Sequence, residues 1–79
     1  MGKNTEPMKY YQHSLEILGT LVATYPKNNR YQHDLATAHD RVGIILQRSG
    51  DLKGAMEHFQ QGLTIDKKLV ERDRHNAPA

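Results

Sequence analysis

The sequence predicts an all-α chain of three helices, and three observations carry that prediction. Apolar residues recur at three- and four-residue spacing through three stretches. Two short breaks part those stretches, Pro26-Lys27-Asn28-Asn29 and Ser49-Gly50-Asp51, both built from turn and capping residues. Small residues, Gly43 and Ala55, stand where two helices must approach closely, with Val42, Leu46 and Phe59 to fill the space between them.

The first helix is expected from about Glu6 to Tyr25. Thr5 is its N-cap, and Glu6 and Pro7 fall in the first turn, where a carboxylate and a missing N–H are both tolerated. Pro26 stops it, because the residue before a proline is pushed out of helical geometry. This helix carries two apolar rows, Met8, Tyr11, Leu15, Leu18 and Val22 on one side and Tyr10, Ile17 and Leu21 on another. A helix with two such rows expects two neighbours. Asn29 followed by Gln32 has capping-box spacing and places the second helix over about Arg30 to Ser49, with the row Tyr31, Leu35, Ala38, Val42, Ile45 and Leu46. Gly50 supplies a left-handed C-terminal residue and Asp51 caps the third helix at once, so the second and third helices are antiparallel neighbours. The third helix is expected from Leu52 to roughly Asp73. Leu52, Met56, Phe59, Leu63 and Val70 lie on one side of it, Ile65 and Leu69 on another. Arg74 to Ala79 reads as a terminal turn, and the first four residues as a polar, frayed end.

Length and composition narrow the function. A single domain of 79 residues with 37% hydrophobic residues, one Phe and no Trp has little to build a core from. A chain of this size buries only roughly 60–70% of its unfolded surface. With no Cys there is neither a disulfide nor a thiolate metal site, which leaves oligomerisation or membership of a longer array as the source of further stability. Absence of Cys also fits a cytoplasmic protein. The formal charge of +2, from 11 basic and 9 acidic residues spread along the chain, is weak steering for nucleic acid. No apolar run reaches membrane-spanning length. Met1 to Glu6 lacks the apolar region of a signal peptide, and Glu6 stands where a myristoylation motif wants Ser or Thr.

Sliding the chain by 48 positions exposes an internal repeat. Met8 then lies over Met56, Gln12 over Gln60, Leu15 over Leu63, Ile17 over Ile65, Leu21 over Leu69, Val22 over Val70 and Asn28 over Asn76, with Tyr11 over Phe59. The first and third helices are two copies of one element, and a fixed period of this kind signals an α-solenoid.

His39-x2-Val42-Gly43-x2-Leu46, followed by Ala55-x3-Phe59, resembles the tetratricopeptide repeat (TPR), whose pattern is W-x2-L-G-x2-Y, then A-x3-F, then P. His39 stands at the Trp position and Lys67 at the terminal Pro, and the period is 48 instead of 34. The long period is similar to that of long-helix bacterial arrays of this family. In such repeats an A helix is followed by a B helix that packs on its own A helix and on the next. The resemblance therefore implies a B–A–B segment of TPR-like α-solenoid, made of antiparallel hairpins, with an A helix missing at each end. It leaves Tyr10, Ile17 and Leu21, and Ile65 and Leu69, as faces for self-association, with a symmetric dimer as the simplest solution. Burying such side chains is worth about 1.5–3 kcal/mol each. The resemblance also implies a groove for a partner protein or peptide along the middle helix, lined by Thr37, Asp40, Arg41, Ile44, Gln47 and Arg48.

The residues give no sign of catalysis or of a bound cofactor. No two of His13, His33, His39, His58 and His75 are three or four apart, the spacing a helical metal site needs. His13 with Glu16, and Glu71 with His75, read as surface pairs, and His39 as a packing residue of the hairpin. Ser14 and Ser49 are explained by helix surface and turn, and the glycines of the helices are isolated, with no phosphate loop. The basic cluster Lys67, Lys68, Arg72 and Arg74 supports a weakly basic helical nucleic-acid-binding module as the alternative. It is broken by Asp66, Glu71 and Asp73, has no aromatic for base stacking, and sits late in a helix, where positive charge complements the dipole.

Overall fold

The computed structural model describes residues 5–76. They form three helices, α1 (Thr5–Thr24), α2 (Asn29–Arg48) and α3 (Leu52–Asn76), with no strand among them. The expected fraying and turn at the two ends lie outside the described residues, except where α3 runs into them.

Each break is made by the chemistry its sequence announces, with one shift of register. The N-cap of α2 is Asn28, one residue before the expected Asn29. Its extended backbone (φ −79°, ψ 102°) lets Oδ1 accept from the Tyr31 amide at 3.0 Å. Gln32 donates to the carbonyl of Pro26 at 3.1 Å, which ties the helix to the turn before it, and Asn29 is free to serve elsewhere. At the second break Gly50 has φ +93°, the region glycine enters without penalty. The Asp51 amide bonds to the Leu46 carbonyl at 2.9 Å and the Gly50 amide to that of Gln47 at 3.2 Å, the paired bonds of a Schellman ending. Asp51 then caps α3 through Oδ1, which accepts from the Gly54 amide at 2.9 Å.

Two termini differ from expectation. α1 already includes Thr5, so the expected cap position lies inside the helix. α3 runs on through Asn76, three residues past the expected Asp73. The repeat explains the difference: Arg74 occupies the place of Pro26, and without the proline nothing stops the helix where α1 stops. Asn28 and Asn76, aligned by the repeat, thus sit in different structures, the first in a turn and the second in a helix.

α2 lies between the other two and packs on both. The row of three helices is 22 Å wide and only 14 Å deep, so no second layer covers it. The buried hydrophobic residues are Ala36, Ala38, Val42 and Ile45 of α2 and Ala55 of α3, and Val42 is the one large side chain fully enclosed. The α2–α3 seam is the close one. A Cβ on Gly43 would come within 2.7 Å of the Phe59 ring, and one on Gly62 within 2.6 Å of Asp40 Oδ1 and 3.2 Å of the Ala36 carbonyl. Gly62, read from sequence as an isolated glycine, is therefore a packing residue seven positions after Ala55 on the same strip of α3.

Candidate interaction surfaces

Which apolar rows remain open follows from the position of α2. It meets α1 along Met8, Tyr11, Leu15, Leu18 and Val22, all half-buried. The second row of α1 stays outward, with Tyr10 67% and Ile17 49% exposed and Leu21 half-buried. Ile17 and Leu21, with Glu16 and Thr20, line a shallow apolar depression of about 320 Å³.

On α3 the open row is not the one expected. Ile65 and Leu69 are half-buried, on the strip that carries Ala55 and Gly62 towards α2. Leu52 (62% exposed), Met56 (71%), Leu63 (50%) and Val70 (55%) face away from it. The physical reason lies in chain order. α2 follows α1 but precedes α3, and it covers different rows of the two helices, so that Met8, Leu15 and Val22 are half-buried where Met56, Leu63 and Val70 are bare. Phe59 alone of the expected α3 row turns inward, its ring filling the space above Gly43.

The residues expected to line a groove on α2 divide in the same way. Thr37, Arg41, Gln47 and Arg48 are exposed, whereas Asp40 and Ile44 are half-buried. The Thr37 hydroxyl is engaged by the His33 carbonyl at 3.1 Å. Asp40 leans over Gly62 towards α3, where burial and the nearby Asp66 push its carboxyl above the ordinary range, while His39 and Arg41 pull the other way. The polar ridge of α2 meets the apolar row of α3 at an open groove of about 340 Å³, lined by Asn29, His33, Leu69, Val70 and Asp73. Arg72 closes one side of the seam by donating to Asn29 Oδ1 at 2.6 Å, so one member of the basic cluster is committed to holding α3 on α2.

His39 and His58 are brought together across the α2–α3 seam, their Nδ1 atoms 3.0 Å apart. One ring must donate its Nδ1–H to the bare Nδ1 of the other, so the two cannot both carry a proton on Nδ1. Burial and His58 hold the His39 imidazole below its ordinary value, with Asp40 opposing. Sequence spacing within one helix could not reveal this pair, since its members lie on two helices. Among the described residues no group of three or more His, Cys, Asp or Glu side chains is placed to hold a metal ion.

These features define an all-α protein: a single row of three helices, open and apolar along two of them. No family model, curated protein or solved structure matches the chain. No helix among the described residues is long and apolar enough to cross a membrane.

Proposed function

We propose that this chain is a non-catalytic protein-interaction and assembly module of TPR type, a B–A–B segment that associates with copies of itself through the faces its missing neighbours leave bare. The observation that carries the reading is the apolar surface left open, with Tyr10 (67% exposed) and Ile17 (49%) bare on α1 and Leu52 (62%), Met56 (71%), Leu63 (50%) and Val70 (55%) bare on α3. Burying such side chains is worth about 1.5–3 kcal/mol each. The polar ridge of Thr37, Arg41, Gln47 and Arg48 supports a second, peptide-binding role on α2. A cytoplasmic setting belongs to this reading and rests on the Cys-free sequence.

The test is absolute mass by light scattering over a concentration series, with circular dichroism on the same samples. A dimer or larger species that loses helicity on dilution is the expected result. A fully helical monomer throughout the micromolar range overturns it. Firm retention on heparin at moderate salt would move the reading to the weakly basic nucleic-acid module.

A further inference from the structure

We propose that His39 and His58 form a metal site across the α2–α3 seam, a two-imidazole clamp for a divalent transition-metal ion, copper(II) above all. Its basis is a contact between two ring nitrogens on different helices, Nδ1 to Nδ1, at 3.0 Å. With metal–imidazole bonds of about 2.0–2.1 Å, that separation subtends roughly 90–97° at an ion. Neighbouring positions of a tetragonal ion stand at such an angle, the geometry of copper(II) and nickel(II), and copper(II) heads the affinity order. A tetrahedral ion would want the nitrogens about 3.3–3.4 Å apart. A turn of each ring about its Cβ–Cγ bond aims both lone pairs at one point beside the contact.

The seam holds the pair in place. His39 stands four residues before Gly43, and His58 three after Ala55 and four before Gly62. Each histidine therefore shares a face with the small residues at which the two helices approach most closely. Both are half-buried, and the Asp40 carboxylate beside His39 favours positive charge there. Two neutral imidazoles suffice as ligands. The ring that donates in the contact shifts its proton from Nδ1 to Nε2, both Nδ1 lone pairs go to the ion, and no net proton is released. Among the described residues no third His, Cys, Asp or Glu joins the pair, so water fills the remaining positions. Binding is then weaker than at a four-ligand structural site. The ion would supply a cross-link between helices that a chain without cysteine otherwise lacks.

The test titrates the full chain, its histidines labelled with nitrogen-15, with substoichiometric copper(II) chloride at neutral pH. The paramagnetic ion should broaden the His39 and His58 ring signals together, ahead of those of the exposed His13 and His33. His39→Gln and His58→Gln, each checked as folded by circular dichroism, should lose the preference, the remaining histidine broadening no sooner than His13 and His33. Even broadening of all histidines means adventitious copper only and overturns the proposal, as does a preference that survives in either folded variant. Electron paramagnetic resonance of the unaltered chain decides the matter without a variant. Nitrogen couplings from two imidazoles on one copper per chain support the clamp, and a single imidazole overturns it.

Discussion

α1 and α3 share a residue pattern at a spacing of 48 positions, yet they are held by different faces. α1 leans on α2 through large side chains, Leu15, Leu18 and Val22 among them, and none of its described residues is fully buried. α3 fits α2 through small ones, with Ala55 and Gly62 buried and the Phe59 ring laid against Gly43. At 100° per residue, the strip α3 turns to α2 is rotated by roughly a quarter turn from the strip α1 uses. The substitutions between the copies agree with this. Ser14 becomes Gly62, which opens a close approach, and Leu18 becomes Asp66, which an apolar contact would not accept. Which row of an amphipathic helix is buried thus depends on where its neighbour lies as well as on its own residues.

The difference is most severely tested at the glycines. Gly43→Leu should remove the seat of Phe59 and cost about 3 kcal/mol or more by overpacking, enough to unfold a chain this small. Circular dichroism checks it, and full helicity with an unchanged melting temperature would show that the seam is not close-packed. Gly62→Ala is the milder version. The Asp40 carboxylate can swing aside, but the Ala36 carbonyl belongs to the backbone and must give by a few tenths of an ångström, so a loss of about 1–2 kcal/mol is expected in urea melts.

A pH titration probes the same seam from its polar side. His39 binds its proton less readily folded than unfolded, so the unfolded chain takes up more protons as pH falls through the ordinary value of 6.5, and stability drops with it. The melting temperature should therefore fall between pH 7.5 and 5.5, and His39→Gln should flatten that slope. Asp40 works in the opposite sense and lower down. Its raised carboxyl favours the fold when protonated, a contribution lost as pH rises above the ordinary 3.8, so it softens the acid loss only there. The smallest effect belongs to α1. Gly19→Ala meets no atom within 4 Å and removes a flexible residue from a helix, so it should stabilise by about 0.5–1 kcal/mol in thermal melts. Opposite signs at Gly19 and Gly62 would confirm that the two copies pack by different rules.

Much of this architecture is legible in the residues. The helix rows, the Gly50–Asp51 junction and the close approach at Gly43 and Ala55 are local matters, decided by spacing, capping chemistry and side-chain size. The cap at Asn28 was displaced by one residue because two adjacent asparagines can both cap, and the backbone angle at Asn28 chose between them. The length of α3 could have been read from the missing proline at Arg74. Its inward strip had a signal too, the seven-residue spacing of Ala55 and Gly62, which outweighs the larger side chains of the Met56–Leu63–Val70 row because helices approach most closely where side chains are smallest.

Sequence by itself determined that this protein is three helices, where they break, and that two of them are apolar on two sides, since those properties depend on neighbours a few residues away. Only the tertiary structure decided which row of each copy is bare, that Asp40 and His39 lean into the α2–α3 seam, and that Asn29 is bound to Arg72. Those outcomes depend on where α2 lies relative to helices far along the chain, and an amphipathic row records that it wants a neighbour without recording which neighbour arrives.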